Sequence, residues 1–204
     1  MEKVNVTCPC CGAKTDMEFE TMILAQDKNT VKKLLDRSLF SHKCSSCKQN
    51  FEYYNTFWFK DSDKSFKIAC VEDSWMVAEF ENRLLMAGPQ SDEDSYQTIR
   101  VVDSYKTFKE KYLILDSGFD DRVIELIKLR IRKNDCAECG EIERIFFFGS
   151  NDKSVFIKVR GLTRSKVFYV PLSEYEDVKN RYKDTLDKDN NVVIDTAWAV
   201  EHEI

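Results

Sequence analysis

The feature that most constrains this chain is a pair of cysteine pairs. "TCPCCGAKT" carries Cys8 and Cys11, "HKCSSCKQ" carries Cys44 and Cys47, and 32 residues separate the pairs. Two residues between thiols let one tight turn aim both sulfurs at one ion, with backbone N–H groups directed at them. Two such turns close a tetrahedral four-thiolate site, which suits zinc. Pro9 stiffens the first turn, and Gly12 is free to take the positive φ that follows a second ligand. Cys10 sits between the two ligands and is expected to point away from the metal. Four thiolates leave no open coordination position, so the site reads as a structural Zn²⁺ centre rather than a catalytic one. Such a centre can supply on the order of 10 kcal/mol of folding free energy.

A third pair, Cys136 and Cys139 in "NDCAECGE", repeats the spacing and the following glycine. Only Cys10 and Cys70 remain unassigned, and neither His42 nor His202 is near it in sequence. Half a site cannot close a tetrahedron, so this turn is expected to bind nothing, with a second metal or a redox pair as the alternatives. Cys70 lies inside a strand pattern and reads as a small buried hydrophobe. His42, two residues before Cys44, is an available ligand that four cysteines make unnecessary, and His202 is expected to face solvent. Lys14, Lys43 and Lys48 flank the ligands in sequence. They either offset the −2 charge of a four-thiolate zinc site or are ordinary solvated lysines.

Eight cysteines need a reason, and the compartment bears on it. "MEKVNVTCPC" has no apolar h-region and no cleavage site, so no signal peptide is read and the cytoplasm is expected, where thiols stay reduced. Metal binding is then the leading reason for the cysteines. Unbroken apolar runs reach only about four residues, too short for a transmembrane helix. At 204 residues and 43% hydrophobic content the chain has material for one sizeable domain or two small ones. A net charge of −5 leaves no footprint for strong nucleic-acid or membrane-surface binding. The charge is uneven: residues 71–95 hold 1 Lys/Arg against 7 Asp/Glu, whereas residues 1–70 hold 11 against 9.

That acidic middle suggests three parts: a ribbon-like module at 1–75, a connecting segment at 76–95 and an α+β module at 96–204. In the first, "VNVT" and "MEFETMIL" read as strands and "NTVKKLLDRSLF" as a short helix capped by Thr30. "NFEYYNTFWF" reads as one aromatic strand, followed by a turn at "DSDKS" and the strand "FKIACV". "SWMVAEFENRLLM" fits either a helix or two short strands, and "GPQSDEDS" is a loop. After "YQTIRVV" come two helices, "SYKTFKEKYLIL" and "FDDRVIELIKLRIRKND". In the second of these Phe119, Val123, Ile127 and Ile131 recur at spacing four, and Asp120 and Asp121 sit at the positive end. "ERIFFFGSNDKSVFIKVRG" reads as a hairpin turning at 149–152, "KVFYVP" as a strand, and "SEYEDVKNRYKDTL" as a helix with a Ser173/Glu176 capping box.

The N-terminal segment resembles the CpXC domain family of bacteria and archaea. The residues that carry the resemblance are Cys8-Pro9-Cys10-Cys11-Gly12, Leu39-Phe40, Cys44 and Cys47, then "FEYYNTFWFKDSDKSF". It covers roughly residues 1–70 and extends more weakly through "RVVDSYKTFKEKYLILDSGFDDRVIELIKL". One departure matters. The family's second turn is usually also Cys-Pro-x-Cys-Gly, whereas this chain has Cys44-Ser45-Ser46-Cys47-Lys48. Lys48 must then take a conformation that glycine takes at less cost, a difference on the order of 1 kcal/mol. The resemblance implies a fold and a metal and says almost nothing about function.

Other chemistry has little material. Two histidines leave little for catalytic triads, and the chain has no Gly-rich phosphate loop, no H-E-x-x-H and no G-x-S-x-G. The aromatic strand is expected to be buried on both sides rather than to stack bases. The reading leans away from an enzyme and toward a non-enzymatic interaction or scaffold module with a protein partner. The alternative is an enzyme whose site lies in the C-terminal module at Cys136 and Cys139. Nucleic-acid binding through the ribbon is the third option, with little support from the charge.

Overall fold

The computed structural model describes residues 2–86, 96–134, 136 and 139–203. The loop expected at "GPQSDEDS" lies outside the described residues. The fold is mixed α+β, and the chain divides into two compact units, Met1–Phe108 and Lys109–Ile204.

Two small hairpins begin the first unit. β1 (Glu2–Thr7) pairs antiparallel with β2 (Lys14–Phe19), with Val4 opposite Met17 and Val6 opposite Thr15. β4 (Ser41–Lys43) pairs antiparallel with β5 (Asn50–Glu52). Each hairpin carries one cysteine turn at its tip. Between the hairpins run β3 (Met22–Leu24) and α1 (Lys28–Leu35). After them come β6 (Phe57–Asp61), β7 (Phe66–Cys70), α2 (Met76–Met86) and β8 (Thr98–Val102). These strands form a four-stranded sheet in the order β3-β6-β7-β8, with β6 and β7 antiparallel and the two outer pairings parallel. Parallel neighbours need a crossover. The second cysteine hairpin lies in the β3–β6 crossover, and α2 forms part of the β7–β8 crossover.

The first core is aromatic. Phe57, Phe59 and Phe66 are buried: Phe57 and Phe59 meet the ring of Phe108, Phe66 stacks on Phe59, and Tyr105 donates its hydroxyl to the Leu34 carbonyl at 2.7 Å. Every residue of β7 is buried, including Cys70, whose thiol is pushed well up by burial. Its behaviour is that of the small hydrophobe read from its strand pattern.

In the second unit, β9 (Ile142–Ser150), β10 (Ser154–Gly161) and β11 (Ser165–Pro171) form an antiparallel sheet in the order β11-β10-β9. α3 (Tyr105–Asp116) leads in, and α4 (Asp121–Asn134), α5 (Leu172–Arg181), α6 (Lys183–Lys188) and α7 (Thr196–His202) complete it. Val123, Ile127 and Ile131 of α4 are buried with Ile145, Phe147, Ile157, Val159 and Trp198, as the spacing of four requires, and Phe119 packs against this cluster. Within the β9–β10 connection Asn151 Oδ1 accepts the amides of Lys153 and Ser154, both at 2.9 Å.

Several local expectations are corrected. α1 starts at Lys28 with Asp27 as its cap. Asp27 Oδ1 accepts the Thr30 amide at 3.1 Å, and its other oxygen accepts the Thr30 hydroxyl, so Thr30 is the capped residue rather than the cap. The aromatic strand is two strands: β5 belongs to a cysteine hairpin, β6 to the sheet, and residues 53–56 bridge them. β11 runs straight into α5, so Pro171 occupies the cap position and Ser173 lies inside the helix without a capping bond. His202 is half-buried, stacked on Trp198, and donates from Nδ1 to the Trp198 carbonyl at 2.8 Å.

Asp121 stands in the first turn of α4, at its positive end. It is completely buried and pairs with Lys111 at 3.0 Å. Lys111 also meets Glu125 at 3.1 Å, Lys128 bridges Glu125 and Glu110 at 2.9 Å each, and Arg144 meets Glu110 at 2.9 Å. Three cations thus face three carboxylates in one buried network. Glu110 also accepts the amide of Phe147, which satisfies a donor of β9.

Candidate metal centre

The two cysteine turns are built alike. In the first, the Cys8 amide donates to the Ala13 carbonyl at 2.9 Å and the Gly12 amide to the Cys8 carbonyl at 2.9 Å. In the second, Cys44 donates to Gln49 at 2.9 Å and Lys48 to Cys44 at 3.1 Å. Both turns end in the left-handed region, Gly12 at φ 72° and Lys48 at φ 63°. Lys48 thus adopts the conformation that the glycine of the first turn adopts. Its ammonium reaches back to the Ser45 carbonyl at 2.6 Å.

The turns bring Cys8, Cys11, Cys44 and Cys47 together, with all four sulfurs within 4.8 Å of one another. Two edges, Cys8–Cys47 and Cys11–Cys44, measure 3.8 and 3.7 Å. Sulfurs placed tetrahedrally about 2.3 Å from a central zinc would be separated by about 3.8 Å. Cys8 and Cys44 are buried and Cys47 half-buried, while Cys11 lies toward solvent. Cys10 is exposed and stands outside the group, as its place between the ligands requires.

Backbone amides prepare these sulfurs for a cation. The amides of Cys10 and Cys11 hold the Cys8 thiol below its ordinary range, and those of Cys47 and Ser46 bring Cys44 down to about 6. The other two thiols move the opposite way. The Ala13 amide favours the Cys11 thiolate, but hydrogen bonding from Cys47, burial and the other thiols outweigh it and push Cys11 up to about 11. For Cys47 the Gln49 amide is likewise outweighed, by burial and by Cys44 and Cys8. The backbone amides thus favour the thiolate at Cys8 and Cys44, while crowding among the sulfurs opposes it at Cys11 and Cys47. A bound divalent cation removes the conflict, and the donor set fits one.

His42 is occupied elsewhere. Its Nε2 donates to the Tyr53 carbonyl at 3.0 Å, and its ring packs between Phe19 and Phe51. Cys136 and Cys139 are buried in the second unit, where the Cys139 amide donates to the Cys136 carbonyl at 2.9 Å and Gly140 takes φ 67°. A Cβ on Gly161 would stand 2.2 Å from the Cys139 carbonyl oxygen, so the end of β10 is moulded around this turn. Among the described residues, the group of three or more potential ligands able to hold a metal is the ribbon's four cysteines. Sequence reasoning missed the buried ionic network, because amphipathic patterning assigns charged helix positions to solvent.

Two hairpin turns that converge four thiols define a ribbon-like module able to hold a metal ion. The family model described as CpXC protein matches residues 6–128, and the chain belongs to the CpXC family. The match spans both cysteine turns and the central sheet and runs into α4. No curated protein and no solved structure matches the chain. Among the described residues, no helix is long and apolar enough to cross a membrane.

Proposed function

We propose that zinc closes the ribbon as a structural ion, and that the protein is a non-enzymatic interaction or scaffold module whose zinc-stiffened surface is recognised by another protein. The observation that carries this reading is the convergence of four sulfurs within 4.8 Å of one another, two edges at 3.7 and 3.8 Å, from two turns of the same hydrogen-bonded design. Four thiolates fill a tetrahedral zinc and leave no position for substrate. The ion's role is then to order the turns, which have little apolar core of their own.

Metal analysis of protein purified without added metal tests the first half. About one equivalent of zinc is expected, and it should be lost in a Cys44→Ser/Cys47→Ser variant. Absence of both zinc and iron from the parent protein would end the reading. Affinity capture with and without chelator tests the second half: a stoichiometric protein partner should be lost with the metal. Turnover of a small molecule without any such partner would replace the scaffold role with an enzymatic one.

A further inference from the structure

The outer face of the β9–β10–β11 sheet combines rings and cations in a way that core packing does not explain. Ile145, Phe147, Val155, Ile157, Val159 and Val170 are buried on the inner face. Strand alternation therefore turns Phe146, Phe156, Lys158 and Tyr169 outward. Register places Lys158 opposite Phe146 and Phe156 opposite Tyr169. Between Phe147, paired with Ile157, and Gly149, paired with Phe156, the register shifts and leaves Phe148 as the extra residue of a bulge. Bulges re-aim a side chain, and here Phe148 is 55% exposed and Tyr169 is 69% exposed. Lys158 Nζ lies 5.1 Å from the centre of the Phe148 ring, and the Arg144 guanidinium lies 5.0 Å from that of Phe146. Phe156 meets Tyr169 edge to face at 5.1 Å, which fixes the direction of the exposed ring. The outward positions of the three strands hold Arg144, Lys158 and Arg160, and a second register shift beside Gly161 leaves Glu143 exposed against Arg160 at 3.5 Å.

We propose that this face binds single-stranded nucleic acid, with bases stacking on Phe148 and Tyr169 and Lys158 meeting the phosphate backbone. Phe148 and Tyr169 lie on the two outer strands, about two strand spacings of 4.8 Å apart, and offer two separate exposed rings for bases, since stacking needs no particular base. A polyanion complements a face on which Arg144, Lys158 and Arg160 outnumber the one exposed acid, Glu143. A second copy of the same face would set its cations against themselves. An acidic peptide would need more available cations than rings, and the balance here is the reverse. Arg144 already pairs with Glu110 and Arg160 with Glu143. Duplex DNA keeps its base faces stacked inside and offers the rings nothing.

Fluorescence anisotropy on the full-length, zinc-replete protein tests this, with labelled oligo-dT, oligo-rU, a duplex of equal length and polyglutamate as probes. Both single strands should bind, and the duplex should not over the same concentration range. Phe148→Ala and Tyr169→Ala should each weaken binding roughly tenfold, the effect of losing one stacked base. Lys158→Gln should flatten the dependence of log K on log salt by about 0.7. Phe148→Leu/Tyr169→Leu keeps apolar area but removes the ring faces, so it should weaken single-strand binding as the alanines do. These positions are exposed, and unchanged circular dichroism and zinc content would confirm that the variants fold. Failure of both single strands to bind, equal binding of duplex, or full affinity in the leucine variant would overturn the proposal. Preferential binding of polyglutamate would overturn it in favour of an acidic peptide.

Discussion

At the scale of single residues, the two cysteine turns form an internal comparison. Gly12 and Lys48 occupy equivalent positions, donate equivalent amide bonds and share a left-handed backbone, yet only one of them is a glycine. An L-residue with a side chain is disfavoured there by about 1 kcal/mol, and the lone Lys48–Ser45 contact recovers little of that. Lys48→Gly should therefore raise the stability of the zinc-loaded protein by up to about 1 kcal/mol, and Gly12→Ala should lower it by a similar amount. Thermal unfolding with zinc content monitored checks both, and a Lys48→Gly variant that melts lower would refute the argument. This much was legible in the sequence, because the two-residue spacing dictates the turn and the turn dictates the φ of the residue after it. The positions of Cys10 and Cys70 followed from the same local logic.

At the scale of elements, legibility depended on whether an element's partner lay nearby. The helix of Asp121–Asn134 was visible because its buried face repeats every four residues. The break between β5 and β6 was not, because the aromatic residues continue through 53–56 while the chain passes from a hairpin to a different sheet. The capping errors share one cause: a stronger neighbour took the position, Asp27 ahead of Thr30 and the end of β11 ahead of Ser173. The ionic network was hidden most deeply, since α3 and α4 turn charged faces toward each other and only their packing reveals it. Removing one partner from a buried set leaves an uncompensated charge, so Lys111→Met should destabilise the second unit by about 3–5 kcal/mol. Lys111→Met/Asp121→Leu removes an entire pair and leaves Glu125 with Lys128, so it should recover part of that loss. The denaturant midpoint, followed through Trp198, reads both; a double variant no better than the single would show that the charges do not act as a pair.

At the scale of the whole molecule, the two units draw on chemistries that fail at different acidities. Thiolate ligands begin from an ordinary pKa near 8.5, so protons compete with the metal well before carboxylates respond. In the second unit, burial alone would raise Glu125, but Lys111 and Lys128 outweigh it and hold it below its ordinary range. A lowered carboxylate contributes stability that is present above its unfolded value, about 4.3, and is lost as pH falls through the folded one. Burial likewise opposes the charge on Lys111, and Asp121 and Glu125 outweigh it and raise that group. Its contribution is present below about pH 10 and is lost only as pH rises through the raised value. Acid titration should therefore proceed in two steps. Zinc release and exposure of the ribbon amides come first, and loss of the second unit follows only below about pH 4. Chelation at neutral pH should reproduce the first step without the second. Hydrogen exchange resolved along the chain, with a zinc-sensitive dye, separates the steps. Simultaneous loss of protection in both units on chelation would mean that the ribbon's metal supports the second unit as well as its own turns.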